Sequence, residues 1–263
     1  MEHQERALAA YIEQVAGDDD TVGVVLVGSL ARGTEREDSD VDVYLVVTAE
    51  AFARAAADDR WAWVDRRGLD YPGSYIDVKL TDLDYLRTAV DRADDPTRAS
   101  FAGARIAYAR DDALDELSTL VDSIGALDDD AWDGRIRSHL AQAHLHGGYF
   151  LRQAEEHGDP FLLQHAAVHL TLAAARAALA AAHRLMPGPK YIRALVREVP
   201  SPAGFVEAWD AVVADPTTAS ARALISILDE WLGRGQTPDQ SLAIFIRDNE
   251  LAWLRGTTPA EYF

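Results

Sequence analysis

Residues 21–47 read TVGVVLVGSLARGTEREDSDVDVYLVV, and the fold follows from them. TVGVVLV is a β-branched apolar run that stops at Gly28, the pattern of a buried strand. ARGTEREDSD is rich in turn residues, and VDVYLVV alternates before a continuous apolar end, giving a second strand antiparallel to the first or mixed with it. Side chains alternate along a strand, so Asp40 and Asp42 project from one face while Val41 and Val43 point into a core.

Working outward, Glu2 to Val15 carries apolar residues at helical spacing and ends at the breaker GDDDT. Downstream, Ala49 to Asp59 reads as helix and Trp61 to Asp65 as strand. After a turn at Pro72 and Gly73, SYIDVKLT alternates again, with Tyr75, Asp77 and Lys79 sharing a face. Asp82 is the expected N-cap of a helix from Leu83 to Ala93, and GARIAYARD reads as an edge strand closing an α/β unit near residue 112. From Asp128 onward the pattern is helical: Asp130–His157, Pro160–His183, a break at MPGPK, Tyr191–Val199, Pro202–Ala214, Ala219–Leu232 and a last piece near Thr237–Leu254. The expected class is α+β, a mixed-sheet domain over residues 1–115 followed by a bundle of about five helices over 116–263. A cleft between the two is the expected ligand site.

Composition narrows the chemistry. With 263 residues and 48% hydrophobic content the chain can bury a large core. It has no cysteine, which excludes disulfides, thiolate catalysis and Cys-bound zinc and leaves oxygen and imidazole as metal ligands. The formal charge of −19 argues against a nucleic-acid partner, whose phosphates need a basic face, and admits a small or cationic one. There is no apolar run of membrane length, and the acidic start MEHQERALAAYIEQVAGDDD lacks a basic leader, so a cytoplasmic chain is expected.

Two neighbouring carboxylates repel unless a cation sits between them, and Mg²⁺ takes one or two carboxylates, completing its shell with water and phosphate oxygens. Asp40 and Asp42 therefore read as a metal clamp for a triphosphate. Gly28 permits close approach, and Ser29 opens a short helix whose free N–H groups suit phosphate. Asp77 becomes a third metal ligand or a general base if its strand neighbours that of Asp42. His139, His144, His146, His165 and His169 invite a metal reading, since His165 and His169 are spaced i, i+4. With no third ligand assigned, they are read as packing or acceptor contacts. Tyr149, Phe150, Trp209, Trp231 and Trp253 are read as core.

The order Gly28-Ser29, spacer, Asp40-Val41-Asp42, then Asp77 resembles the nucleotidyltransferase superfamily related to DNA polymerase β. The resemblance covers roughly residues 20–110, and GSLARG with SDVDVYLVV looks like the small-molecule and minimal members, including the aminoglycoside and lincosamide nucleotidyltransferases. It implies a nucleotidyltransferase domain that moves a nucleoside monophosphate, AMP from ATP, from the NTP to a hydroxyl of a small-molecule acceptor. Asp40, Asp42 and Asp77 would hold two Mg²⁺ ions, and Gly28, Ser29 and Ser39 would lie near the phosphates. The antibiotic-modifying members also resemble this layout in having a helical second domain that offers a cation to the triphosphate. Lys190, one of only two lysines and set after a Pro-Gly-Pro break, is the candidate here. The same resemblance admits AMP transfer to a protein partner, as in toxin–antitoxin pairs, or a nucleotide sensor without catalysis.

Overall fold

The computed structural model describes residues 2–67, 69, 71, 75–233 and 235–262. The chain forms two compact units, Met1–Ala126 and Leu127–Phe263.

The first unit opens with α1 (Glu2–Val15), followed by β1 (Thr21–Val27), the one-turn helix α2 (Gly28–Ala31) and β2 (Val41–Val47). Then come α3 (Ala49–Ala57), β3 (Ala62–Asp65), β4 (Ile76–Asp82), α4 (Leu83–Arg92), α5 (Asp95–Phe101), β5 (Arg105–Ala109) and α6 (Leu114–Gly125). The turn expected at Pro72 and Gly73 lies outside the described residues. The five strands lie in the order β3-β4-β2-β1-β5. β1 pairs antiparallel with β2 and β5, β3 antiparallel with β4, and β2 parallel with β4, so the sheet is mixed. The β2–β4 pair can be parallel because α3 and β3 return the chain to the same end of the sheet.

Alternation along the strands divides the core in two. Val41, Val43, Leu45 and Val47 of β2 pack with Leu26 of β1, Val78 of β4 and Leu8 and Tyr11 of α1. Tyr44 and Val46 face the other way, against Leu86, Phe101, Leu117 and Ile124 of α4, α5 and α6. Helices α5 and α6, which the sequence reading did not assign, thus cover this second face. The contribution of α6 to it carries the first unit on to Ala126, past residue 115.

The second unit contains α7 (Asp129–Ala143), a π-helical segment His144–Phe150, α8 (Leu151–His157) and α9 (Pro160–Ala181). It continues with α10 (Ile192–Glu198), α11 (Phe205–Ala214), α12 (Thr218–Leu232), α13 (Pro238–Phe245) and a second π-helical segment, Ile246–Glu250. The expected single helix over Asp130–His157 is therefore two α-helices joined through π turns. Helix α9 is the axis of the bundle: Ala166, Ala173, Ala174, Ala175, Ala177 and Ala178 are all buried. Small side chains let neighbouring helices approach closely, and Trp209 of α11 fixes one of them by donating Nε1–H to the Thr171 carbonyl at 2.8 Å. Among the described residues no helix is long and apolar enough to cross a membrane.

Asp82 caps α4 as its sequence position implies, its carboxylate accepting the Tyr85 N–H at 2.7 Å. Asp82→Ala leaves that donor unpaired, and urea unfolding should register a loss of about 1–2 kcal/mol.

Candidate functional site

The site lies where β1, β2 and β4 present their ends beside the loop 32–40. β2 and β4 run in register, with Asp42 opposite Asp77 and Tyr44 opposite Lys79. Val27, the last residue of β1, stands opposite Asp42 on the other side. Asp42 is thus flanked by a second acid on one neighbouring strand and by the start of α2 on the other. Asp40 immediately precedes β2, and the flanking Val41 and Val43 are buried, which turns both acids away from the core beneath.

Gly28 is required here for two separate reasons. Its φ is +73°, a conformation that L side chains rarely adopt, and a Cβ at this position would lie 2.1 Å from Asp42 Oδ2. The Asp42 carboxylate therefore packs directly on the glycine backbone at the opening of α2. Ser29 follows in that turn, half-buried, with its carbonyl accepting the Thr34 N–H at 3.0 Å.

The loop leading to Asp40 is held from below. Gln4 of α1, fully buried, donates Nε2–H to the carbonyls of Arg36 (2.9 Å) and Glu37 (3.3 Å). Ser39 Oγ accepts the Arg36 N–H at 2.8 Å, and Tyr71 donates its hydroxyl to the Ser39 carbonyl at 3.3 Å. The Ser39 hydroxyl thus closes its own loop.

The electrostatics are those of crowded anions. Burial, with the charges of Asp40 and then Asp77 added to it, pushes the Asp42 carboxyl up to about 6, while Lys79 and Arg32 pull the other way. The hydrogen bond that Tyr75 donates to Asp40, together with that carboxylate's charge, pushes the Tyr75 hydroxyl up to about 12 and keeps it a donor. Lys79 Nζ sits 5.5 Å from the Tyr44 ring centroid.

These groups suit a hard divalent cation. All three acids offer oxygen, and the unfavourable charge on Asp42 is relieved by a cation beside it. Among the described residues no group of three or more Asp, Glu or His side chains is placed to hold a metal ion by itself. An ion here would complete its shell with water and substrate oxygens.

The second unit holds the remaining candidate, Lys190, exposed in the turn Pro189–Tyr191 with Nζ 4.8 Å from the Tyr191 ring centroid. That unit also contains a Ser-His-Asp arrangement: His144 Nδ1 lies 2.6 Å from Ser241 Oγ, and Nε2 lies 2.7 Å from Asp229 Oδ1. Ser241 is only 2% exposed and accepts a further bond from Gln236 at 3.0 Å, so the chain of bonds ties α12 to α13 rather than presenting a nucleophile.

The family model for the nucleotidyltransferase domain matches residues 9–146, more than half of the sequence. The chain belongs to the nucleotidyltransferase domain family. The matched span contains Gly28, Ser29, Asp40, Asp42 and Asp77. Members of this family act on nucleoside triphosphates with a divalent metal, in keeping with the crowded carboxylates of this nucleotidyltransferase domain. No curated protein matches the sequence significantly. The fold is similar to that of a nucleotidyltransferase-like protein from Exiguobacterium sibiricum 255-15, with a TM-score of 0.50 and 11% identity, over 96% of this chain and 87% of that one.

Tyr75, Arg32 and Gln4 join the site without a role foreseen for them. Tyr75 and Arg32 stand beside the motif residues, whereas Gln4 looks in the sequence like any polar position of an amphipathic helix. Because repulsion strains the acid cluster when no cation is bound, Asp42→Asn should raise the stability of the EDTA-treated protein at pH 8 by about 1–2 kcal/mol. Thermal unfolding checks the sign: a lower midpoint for the variant contradicts the electrostatic reading.

Proposed function

We propose that the chain transfers AMP from ATP to a hydroxyl of a small-molecule acceptor in the presence of Mg²⁺, releasing pyrophosphate. The observation that carries this reading is the register of Asp42 against Asp77, with the Asp42 carboxylate packed on Gly28.

In this mechanism Asp40 and Asp42 would hold the metal that accompanies the triphosphate, with Asp77 as third ligand or as base. Tyr75 orients the Asp40 carboxylate by donating to it, and Gln4 and Ser39 fix the loop from which Asp40 projects. N–H groups at Gly28 and Ser29 donate to phosphate oxygens. The acceptor oxygen attacks the α-phosphorus, its proton passes to Asp77, and the bond to the bridging oxygen of pyrophosphate breaks in line. An ion held there would supply neutralisation of the negative charge that develops during the transfer.

A net charge of −19 favours a cationic acceptor, and an aminoglycoside or lincosamide antibiotic fits that chemistry, with resistance as the corresponding role. The test is pyrophosphate release with Mg²⁺ and each of four NTPs against aminoglycosides, lincosamides and neutral polyols. The expected result is release that depends on ATP and on a cationic acceptor and falls by at least about a thousand-fold in Asp40→Asn/Asp42→Asn. ATP binding without release on any small acceptor contradicts the proposal and points to a protein acceptor or a sensor.

A further inference from the structure

Lys79 is exposed on β4, and among the described residues no hydrogen bond or ion pair engages its ammonium. Other cations of the first unit behave differently: Arg54, Arg67, Arg87 and Arg105 each reach a carboxylate. Acids are nonetheless close to Lys79. The β2–β4 register sets it opposite Tyr44 and two residues beyond Asp77, on the same face. A rise of about 6.6 Å along β4 and a strand spacing of about 4.8 Å put its Cα roughly 8 Å from that of Asp42, a gap that the four-carbon stem of lysine spans. Burial and the charges of Asp40 and Asp77 raise the Asp42 carboxyl, and Lys79 acts against them.

The ammonium nevertheless stands off from the carboxylates. Nζ rests 5.5 Å from the centroid of the Tyr44 ring, a cation–π distance. That ring is itself fixed, stacked on Phe101 at 4.7 Å with its hydroxyl 3.3 Å from Ser100 Oγ. A lysine that served only to neutralise the acids would close onto one of them. Here Tyr44 holds the charge back, and the three N–H donors are left for another acceptor.

We propose that Lys79 binds the α-phosphoryl group of the nucleoside triphosphate, its ammonium donating to a non-bridging oxygen there. The assignment rests on the transfer reaction proposed above. Strand order decides the side of the site. Asp42 has the start of α2 on its β1 flank and Asp77 with Lys79 on its β4 flank. The leaving phosphates belong with the N–H groups of Gly28 and Ser29, and the phosphorus under attack belongs beside Asp77, which takes the acceptor's proton. Lys79 is a cation on that second flank. As the bond from the acceptor oxygen to phosphorus forms and the bond to pyrophosphate breaks, Lys79 keeps its protons, so its part is electrostatic: a fixed ammonium meets the negative charge on the transferred group. Lysine suits this as a compact point charge, without the planar fork of arginine.

Removing the ammonium has opposite consequences for the two ligands of the site. A metal ion beside the acids is repelled by it, so its loss leaves the ion bound equally or more tightly. A phosphoryl oxygen is attracted by it, so its loss weakens the nucleotide.

The test titrates Mn²⁺ into the full chain at pH 8, above the range in which Asp42 takes up a proton, and reads the free-ion paramagnetic signal. Three titrations are made, with Mn²⁺ alone, with pyrophosphate and with α,β-methylene ATP. Lys79→Met is the variant and Lys79→Arg its conservative counterpart, with folding checked by circular dichroism; Lys79 is exposed, so neither change disturbs the core. In the presence of Mn²⁺, α,β-methylene ATP is expected to bind at least about ten-fold more weakly to Lys79→Met, with most of the loss recovered in Lys79→Arg. Mn²⁺ alone and Mn²⁺ with pyrophosphate keep the parent's affinity or exceed it. Equal binding of the ATP analogue by the parent and Lys79→Met overturns the proposal and leaves the transfer reaction standing. A uniform loss across Mn²⁺, pyrophosphate and the analogue also overturns it, because Lys79 then shapes the acids rather than contacting the nucleotide. A parent chain that binds no analogue removes the transfer reaction and the role of Lys79 with it.

Discussion

The Asp42 carboxylate is caught between Gly28, on whose backbone it packs, and Asp77, its partner across the β2–β4 ladder. Burial beside two other acids makes its charge unfavourable, and a protein keeps such an arrangement only if the rest of the fold enforces it. The enforcement is visible at each neighbour. Val41 and Val43 anchor β2 in the core, the missing Cβ of Gly28 leaves the space that the carboxylate fills, and Gln4 fastens the loop that delivers Asp40. The first unit therefore gives up stability at one end of its sheet and offsets it with two well-packed faces.

Much of this was legible in the sequence because strands impose a period of two. VDVYLVV assigns its own faces, and SYIDVKLT places Asp77 with Lys79, so register alone was missing. Only the pairing of β2 with β4, in parallel, brings Asp77 opposite Asp42. α5 and α6 escaped because α5 is short and both follow polar turns that blur their apolar stripes. The split of residues 130–157 into α7, a π-helical segment and α8 escaped because π turns shift the apolar phase while the chain on either side stays helical. Gln4 and the partnerless nitrogens of His146 are properties of burial, which no local pattern encodes. The i, i+4 pair His165 and His169 was visible, but its neighbours His146 and Glu261 come from elsewhere in the chain.

The two units differ in the polar side chains they bring together. At the sheet end the acids present carboxylate oxygen, a hard donor, whereas the bundle packs the imidazoles of His146, His165 and His169 against one another. The absence of cysteine leaves these as the two ligand types the chain can use. Its high negative charge acts on both, raising the local concentration of cations and of cationic acceptors.

The central claim is that the acids at the β2–β4 end bind a divalent ion together with a nucleoside triphosphate. Mn²⁺ titration in the presence of a non-hydrolysable ATP analogue, read from the loss of the free-ion paramagnetic signal, tests it most directly. The account predicts saturable Mn²⁺ binding that the analogue tightens and that Asp40→Asn/Asp42→Asn abolishes. Equal Mn²⁺ binding by the parent chain and the variant, with or without the analogue, would contradict it.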